Sequence, residues 1–341
     1  MLKQIAFTKP YTAELIDYEL SELKGNQVKV QTYFSTISCG TEKANLIGDP
    51  NVGTDIKEGT PAVFPRVLGY SSSGIVIDKG EDVKSVNIGD RVVMSWSKHQ
   101  SVNILLEKNV VKIENDNMSL EEAAMCQITT FPMAAIRKTR LEIGESMLVM
   151  GLGILGIMAV QFSRAAGAVP VIAVDPNPER RALAMKFGAD YALDPFEKDF
   201  AEKVINLTGG GVNCAIEVTG LGAGLNQCLD VMAKFGRVAL LGCTRDKNFT
   251  VDYYRKVHGP GIELIGAHTN ARPYSDSSPH YFTQRDDIKA MLKLLSLGRI
   301  NLKDMIMETY SPVQCGEVYT RLANDSNFPI VVQFDWHEFI K

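Results

Sequence analysis

The chain has 341 residues, of which 45% are hydrophobic and 22% charged, and its formal net charge is −4 at pH 7. This length indicates two domains, the composition is typical of a folded globular protein, and the lack of a basic stripe argues against a nucleic acid partner. No apolar run approaches the roughly 20 residues of a membrane-spanning helix, no signal-peptide core is visible, and the six cysteines are scattered singly. We therefore expect a cytoplasmic protein that is not bound to a membrane.

Residues 1 to about 115 contain short β-patterned runs separated by Gly, Asp, Asn and Pro. The runs 28–34, 74–78 and 90–95 are typical of strands, the first because it alternates apolar and polar residues. Many short strands with frequent turns predict a compact antiparallel barrel or sandwich. Residues 45–65 contain several turn formers and predict a long irregular loop.

The pattern changes at Ser119, which can cap a helix and form a capping box with Glu122. Apolar strands and amphipathic helices then alternate, which predicts a parallel sheet covered on both faces. A further helix is predicted over 287–297 and a last strand over 330–334. The alternating segments are strands at 147–150, 171–174, 214–218, 238–241 and 262–266, and helices at 155–166, 178–187 and 225–233.

A glycine-rich string, Gly151-Leu-Gly153-Ile-Leu-Gly156, lies between a predicted strand and a predicted helix. Such a string alone is compatible with tight packing and nothing more. In this context Gly151 can make the tight turn, Gly153 can let a pyrophosphate approach the backbone, and Gly156 can allow close helix–strand contact. The helix N-terminus then offers N–H groups and a positive dipole end to the phosphates, so we predict a dinucleotide site.

The next predicted strand ends at Asp175, where a dinucleotide site places an acidic residue. A carboxylate there accepts hydrogen bonds from the adenine ribose and repels a 2′-phosphate, which favours NAD(H) over NADP(H). The alternative role of Asp175 is to cap the following helix, and both roles are compatible. Arg180 and Arg181 are interpreted as solvated helix residues, with Arg180 near the adenosine, although a nearby arginine can also accept a 2′-phosphate.

The motifs at 38–42 (Ser-Cys-Gly-Thr-Glu), 65–76 (Pro-Arg-Val-Leu-Gly-Tyr-Ser-Ser-Ser-Gly-Ile-Val) and 89–92 (Gly-Asp-Arg-Val) join the glycine-rich string in one resemblance. The chain resembles the medium-chain dehydrogenase/reductase family, which includes the zinc alcohol and polyol dehydrogenases. The resemblance implies an α/β fold with a GroES-like β-barrel catalytic domain of residues 1–118 and 270–341. It also implies an inserted Rossmann NAD-binding domain of residues 119–269 and a homodimer or homotetramer that pairs through the Rossmann sheets.

Zinc members of that family hold a catalytic zinc with ligands that this chain matches only in part. Cys39 and Cys126 stand at two of the ligand positions, but Tyr70 replaces the histidine of the middle motif, and the cysteines of a structural zinc lobe are absent. Two thiols with a neutral tyrosine are a poor zinc set, so we expect the cysteines to be small buried residues and zinc to be missing. The alternative is a residual zinc site on Cys39 and Cys126, with Glu42 as a rescue ligand.

Without zinc, other groups must accept the proton and hold the developing alkoxide. Our catalytic candidates are Thr41, which matches the family hydroxyl at the substrate oxygen, Tyr70, and His268, which follows the last Rossmann strand. Thr41 is as readily a turn hydroxyl, and Tyr70 as readily a core aromatic. Further candidates contact the cofactor at the strand and helix ends or line the substrate pocket. The cofactor candidates are Thr130, Ile154, Leu155, Thr219, Gly242 and Cys243, and the substrate candidates are Cys39, His99, Asn270 and Arg272.

Three functions are compatible with these residues. The first is an NAD(H)-dependent oxidoreductase that oxidises a secondary alcohol of polyol or sugar type to a ketone without catalytic zinc, the substrate class being implied by the resemblance alone. The second is a zinc-free enoyl or quinone reductase, against which Asp175 argues because such enzymes usually take NADPH. The third is a non-catalytic dinucleotide-binding protein, which the intact glycine loop together with His268 and Arg272 makes the least favoured.

Overall fold

The computed structural model of the chain describes residues 1–52, 60–244 and 248–340. These residues form two compact units, a first unit of Met1–Ile128 with Ile288–Lys341 and a second unit of Thr129–Asp287. The strands are β1 (Leu2–Lys9), β2 (Thr12–Tyr18), β3 (Gln27–Thr36), β4 (Ser71–Lys79), β5 (Arg91–Ser95), β6 (Val102–Leu106), β7 (Val110–Lys112), β8 (Met147–Met150), β9 (Val171–Val174), β10 (Tyr191–Leu193), β11 (Val212–Glu217), β12 (Met232–Leu240), β13 (Glu263–Gly266), β14 (Glu308–Tyr310) and β15 (Val332–Asp335). The α-helices are α1 (Cys39–Ile47), α2 (Leu120–Ala123), α3 (Cys126–Thr139), α4 (Ile154–Ala165), α5 (Pro178–Lys186), α6 (Phe200–Thr208), α7 (Gly222–Asp230), α8 (Gln284–Ser296) and α9 (Cys315–Asn324).

The first unit is built around β3, which pairs antiparallel with β4, β6 and β15. The sheet continues from β4 through β5 to β7 and from β15 to β14. One apolar cluster lies within this sheet, around Val30 and Val92, and a second lies where β1, β15 and α9 meet, around Phe7, Tyr319 and Trp336. The predicted antiparallel β-rich domain is therefore confirmed, with both chain ends contributing to it.

The second unit carries a six-stranded parallel sheet in the order β10-β9-β8-β11-β12-β13. All residues of β8 and β9 are buried, as expected for strands with helices on both faces. The predicted strand–helix alternation is confirmed, and the element ends move by only a few residues. The largest change is at β12, which begins at Met232 and not at Val238, so that α7 stops at Asp230 and not at Ala233.

The sequence predicts domain boundaries after residues 118 and 269. Two segments next to these boundaries pack with the other unit from the one that was predicted. Residues 119–128 join the first unit, since the Ala124 carbonyl accepts hydrogen bonds from the side chains of Thr36 and Ser71. Residues 270–287 join the second unit, where the Ala271 carbonyl accepts a hydrogen bond from Lys138. The side chains that hold these segments lie far from them in sequence, so no local pattern reveals the pairing.

The predicted loop 45–65 is only partly a loop, because residues 45–47 complete α1. Gly48 ends this helix in a left-handed conformation with φ of +78°, and its N–H bonds Asn45 O. Residues 53–59 of that predicted loop lie outside the described residues. Across the described ranges 1–52, 60–244 and 248–340, no helix has the length and apolar character needed to cross a membrane.

Strand β13 ends the parallel sheet of the second unit, and within the described residues no strand pairs with its outer side. Leu264 in this strand is 41% exposed. An exposed edge strand is a ready partner for the same strand of a second copy. The resemblance implied pairing through the Rossmann sheets, and we propose that β13 is the strand through which a homo-oligomer pairs.

The edge strand can be tested with a Leu264→Asp variant. Light scattering after gel filtration should give an oligomer for the wild-type chain and a shift towards monomer for this variant, because a buried charge would oppose pairing. Leu297→Asp, which changes a leucine that is 74% exposed after α8, should keep the wild-type mass. A monomeric wild type, or a variant of unchanged mass, would contradict the expectation.

Candidate active site and dinucleotide site

The parallel register of the second unit brings the ends of five strands into one row. One residue from each strand contributes to this row, and each is paired with the next residue of the row across a strand pair. The loops that carry the expected cofactor residues begin after this row. Ligands of open parallel sheets bind at this carboxyl edge. The row consists of Val174, Met150, Glu217, Leu240 and Gly266.

The glycine-rich loop has the geometry that each glycine position requires. Gly151 has φ of +98°, and its N–H donates to Val174 O at 2.8 Å. A Cβ on Gly156 would lie 1.9 Å from the Gly151 carbonyl oxygen, whereas a Cβ on Gly153 would meet nothing within 4 Å. Helix α4 starts at Ile154 and continues through Leu155, so its N-terminal N–H groups lie beside the open face of Gly153, where a phosphate can approach.

Asp175 is buried and holds the glycine loop through its own carboxylate. One oxygen accepts a hydrogen bond from Leu152 N at 2.8 Å, and the other accepts one from Asn177 N at 2.9 Å. The cap of α5 is Asn177, whose side chain accepts from two backbone N–H groups, so Asp175 does not cap this helix. Arg180 lies with Nη1 3.9 Å from the Asp175 carboxylate, and Arg181 is tied to backbone carbonyls and to Asp194.

Two further loops pack against each other beside the glycine loop. Glu217 accepts hydrogen bonds from the backbone N–H groups of Thr219 and Gly220 and from the Thr219 hydroxyl. Burial raises the pKa of Glu217, although these donors act in the opposite direction. A Cβ on Gly242 would lie 2.4 Å from Gly220 N, so only glycine fits there. Sequence reasoning missed Glu217, whose only local sign is an acidic residue at the end of an apolar strand.

The remaining cofactor candidates differ in their surroundings. Thr130 is fully buried in α3, whereas Cys243 is exposed after β12. His268 and Asn270 follow β13, and the Asn270 N–H donates to His268 Nδ1 at 3.3 Å. His268 is half-buried and Asn270 exposed, so both are placed where a ligand can reach them.

Arg272 does not line an open pocket as expected, because its side chain is only 8% exposed. Its Nη1 lies 3.6 Å from Asp287, and its guanidinium lies 6.0 Å from the Phe131 ring centroid. Arg137 also pairs with Asp287, at 3.0 Å. Burial raises the pKa of Asp287 to about 6 despite these two cations. This cluster holds the segment after β13 against α3, which explains its burial.

In the first unit, Tyr70 forms a hydroxyl pair with a residue that sequence reasoning missed. The Tyr70 hydroxyl donates to Ser38 Oγ, one residue before α1. The Trp96 ring centroid lies 6.0 Å from that of Tyr70, and Trp96 N donates to Tyr70 O at 2.9 Å. Trp96 has φ of +59° and is 39% exposed. A large residue in this strained conformation is typical of functional sites, and its exposed ring forms an apolar wall beside the tyrosine.

Thr41 and Cys39 lie in the first turn of α1, and Cys126 is the first residue of α3. The Thr41 hydroxyl makes no hydrogen bond to any residue that the structure describes, so it is not the self-bonded turn hydroxyl of the alternative interpretation. Cys39 is half-buried, with Sγ 3.8 Å from Pro329 O, and Cys126 is fully buried, with Sγ 3.9 Å from Glu122 O. Burial and the Glu122 carboxylate both raise the pKa of the Cys126 thiol.

Glu42 is the centre of a buried polar network in the first unit. Its carboxylate is 1% exposed and accepts from Ser38 N at 2.8 Å, from Tyr319 OH at 2.5 Å and from His99 Nε2 at 3.1 Å. Burial raises the pKa of this carboxyl. The electrostatic interaction with His99 and the hydrogen bonds from His99, Tyr319 and Ser38 act in the opposite direction and hold the pKa below its usual value. Glu42 is therefore an ionised carboxylate with its acceptor sites in use.

His99 is neither a surface residue nor a substrate contact, which corrects the expectation. It is 1% exposed, and its second ring nitrogen lies 2.7 Å from Ser35 Oγ, which also accepts from Trp336 Nε1 at 2.9 Å. With both nitrogens engaged in the interior, this imidazole has no open lone pair for a substrate proton.

Comparison with known proteins identifies the family. Residues 28–138 match the family model described as "Alcohol dehydrogenase GroES-like domain", and residues 155–294 match "Zinc-binding dehydrogenase". The chain belongs to the medium-chain dehydrogenase/reductase family. The predicted fold class, a GroES-like domain with a Rossmann domain, is confirmed.

Several relatives align with nearly the whole chain. D-guloside 3-dehydrogenase of Escherichia coli K12 is 27% identical over 321 residues, which are 89% of this chain and 91% of that protein. A zinc-binding dehydrogenase of Sinorhizobium meliloti 1021 bound to NADP has a similar fold, with TM-score 0.81, 18% identity and coverage of 98% and 99%. So does a short chain alcohol dehydrogenase of E. coli CFT073 complexed with NADH, with TM-score 0.82, 18% identity and the same coverage.

The family model names zinc, and we tested the donor set for this metal. A zinc site needs three or four thiolate, imidazole or carboxylate ligands. Here the phenol of Tyr70 replaces an imidazole and is bonded to Ser38, while the Glu42 carboxylate is used by three internal donors. Of the matched ligand positions, Cys39 and Cys126 alone are left with a thiol that zinc prefers. These residues do not fit a catalytic zinc.

The dinucleotide loop can be tested with two matched glycine variants. Gly156→Ala should lower both the melting temperature and NADH affinity, because its Cβ would overlap the Gly151 carbonyl. Gly153→Ala should keep the melting temperature and weaken NADH binding by about tenfold or more, since its methyl group points into open space needed by a phosphate. Thermal scans and NADH fluorescence titrations give both quantities. Unchanged NADH affinity in Gly153→Ala would show that no phosphate of the cofactor binds at this loop.

Proposed function

We propose that this protein is an NAD(H)-dependent oxidoreductase that oxidises a secondary alcohol of polyol or sugar type to a ketone without catalytic zinc. The observation that carries this proposal is the Tyr70–Ser38 hydroxyl pair at the position where zinc members of the family hold a metal ligand. The rest of the support comes from the dinucleotide loop, the carboxylate at its second strand and the family to which the chain belongs.

The residues of the second unit fit a dinucleotide. The open face of Gly153, the N-terminus of α4 and the buried Asp175 are suited to the pyrophosphate and the adenine ribose. The NADP and NADH complexes of two structural neighbours support a dinucleotide cofactor in general. The preference for NAD(H) rests on Asp175, whose negative charge opposes a 2′-phosphate, with Arg180 partly offsetting this charge from 3.9 Å.

The substrate class is supported by the relative D-guloside 3-dehydrogenase and by polar side chains in each of the two units. His268 and Asn270 in the second unit offer hydrogen bonds to hydroxyl groups. Trp96 and Tyr70 in the first unit offer aromatic surface with a polar tip, which suits a ligand with both C–H and O–H groups.

The reaction removes a hydride from the carbinol carbon and a proton from its hydroxyl group, so the products are a ketone, NADH and a proton. When bound, the nicotinamide supplies the hydride acceptor. Thr41, whose hydroxyl has no partner among the described residues, donates a hydrogen bond to the substrate oxygen. The Tyr70 oxygen accepts the substrate proton while its own proton moves to Ser38 Oγ, and the Ser38 hydroxyl releases one proton to water.

The Tyr70 role predicts a selective loss of catalysis. In Tyr70→Phe, kcat on the best alcohol of a polyol and glycoside panel should fall about 100-fold or more, because the proton acceptor is gone. The Kd of NADH should not change, since the cofactor residues lie in the second unit. Tyr18→Phe is the matched control, as it removes a hydroxyl bonded to Val102 O in the same unit and should retain kcat. Full activity of Tyr70→Phe would exclude the relay.

The cofactor preference gives a separate prediction. Wild-type protein should bind NADH more tightly than NADPH, and Asp175→Asn should reduce that ratio by about tenfold, because the charge that repels a 2′-phosphate is removed. Asp190→Asn changes a carboxylate bonded to Val171 N at the other end of β9 and should keep the wild-type ratio. Tighter binding of NADPH by the wild type would overturn the preference and favour an enoyl or quinone reductase.

A further inference from the structure

The two hydroxyls of the proposed reaction come from separate segments of the first unit. Thr41 lies in the first turn of α1, and Tyr70 lies just before β4. Because the two segments are distant in sequence, tertiary contacts set the position of one hydroxyl relative to the other. The described contacts around His99 connect both segments.

On the Tyr70 side, His99 packs directly against the preceding glycine. His99 N donates to Leu68 O at 2.9 Å. A Cβ on Gly69 would lie 2.7 Å from His99 N and 3.1 Å from the ring carbon Cδ2. Gly69 has φ of +107°, so only glycine permits this approach without backbone strain. The backbone and imidazole of His99 therefore pack against the Gly69–Tyr70 segment and restrict its position.

On the Thr41 side, the same imidazole faces the next residue of α1. His99 Nε2 lies 3.1 and 3.2 Å from the two oxygens of Glu42, and Glu42 also accepts from Ser38 N at the start of the helix. Glu42 thus ties the first turn of α1 to His99, and Ser38 is the acceptor of the Tyr70 hydroxyl. Thr41, Ser38 and Tyr70 are all adjacent to residues that His99 or Glu42 contacts.

A buried carboxylate hydrogen-bonded to a buried imidazole is a costly way to fill an interior, because apolar residues of similar volume are often at least as stabilising. Burial of both partners at 1% exposure therefore calls for a role other than packing. We propose that His99 is a positioning residue that, through Glu42 and Gly69, sets the distance between the hydroxyls of Thr41, Ser38 and Tyr70. This proposal rests on the proposed function for its consequence in catalysis, but the geometry can be tested without turnover.

The test uses a readout at Tyr70 itself. The chain has 11 tyrosines, and labelling their ring carbons with 13C allows the Tyr70 signal to be identified by its loss in Tyr70→Phe. His99→Gln should shift this signal and lower kcat by about tenfold to 100-fold, since a misplacement of about 1 Å can cost that much. NADH affinity should stay at the wild-type value, because the cofactor residues lie in the second unit.

Two further variants keep the test decisive. If His99→Gln does not fold because Glu42 is left without its imidazole partner, the double variant Glu42→Gln with His99→Gln removes the buried carboxylate as well and should show the same Tyr70 shift. As a control, Gln31→Met in β3 removes the buried hydrogen bond that the Gln31 side chain donates to Ser101 O. This variant should lower the melting temperature without moving the Tyr70 signal. A folded His99 variant with unchanged Tyr70 signal and kcat would overturn the proposal. If the wild type oxidises no alcohol, the proposed function fails, and the Tyr70 signal still decides the role of His99.

Discussion

The buried carboxylate of Glu42 is the constraint on which the first unit depends. A charge in the interior is tolerated only with full compensation, and here the compensating groups come from four places in the chain. Ser38 precedes α1, His99 follows β5, Tyr319 belongs to α9, and Ser35 in β3 supports the histidine. Satisfying one carboxylate therefore joins the N-terminal strands, the helix that carries Thr41 and the C-terminal segment.

The second unit depends on a different constraint, the close approach of backbone to backbone. The Gly151 carbonyl lies where a side chain at Gly156 would be, and Gly220 lies where a side chain at Gly242 would be. These contacts bring three loops to the carboxyl edge of the sheet without side chains between them. Asp175 adds a hydrogen bond from the end of β9 to Leu152, so the residue that we expect to select the cofactor also holds the loop that binds it.

The sequence contained those features whose causes are local. Strand–helix alternation, the spacing of the glycines and Asp175 at the end of β9 follow from a few neighbouring residues, and all of these elements are present in the structure. A family motif points to Thr41 and Tyr70. In the structure Thr41 lies in the first turn of α1, just after Ser38, and Tyr70 lies just before β4 and bonds Ser38. The bond from Tyr70 to Ser38 spans 32 positions and has no pattern of its own.

Features that depend on distant partners were predicted incorrectly or not at all. The roles of His99 and Arg272 were predicted incorrectly because each is defined by a buried carboxylate outside its own segment, Glu42 in one case and Asp287 in the other. Tyr319 contributes to the Glu42 network from 277 positions along the chain. Side-chain burial of a charged residue is a tertiary property, and a histidine beside an exposed strand end has the same local sequence whether it points outward or inward.

We infer that hydroxyl groups and a buried carboxylate network stand where the zinc members of the family bind their metal. The most direct test of this inference is elemental analysis of protein purified from zinc-supplemented cells without chelators, for the wild type and for Cys39→Ser. We expect zinc far below one atom per chain in both proteins. About one zinc per chain in the wild type that is lost in Cys39→Ser would contradict it and would make Cys39 a metal ligand.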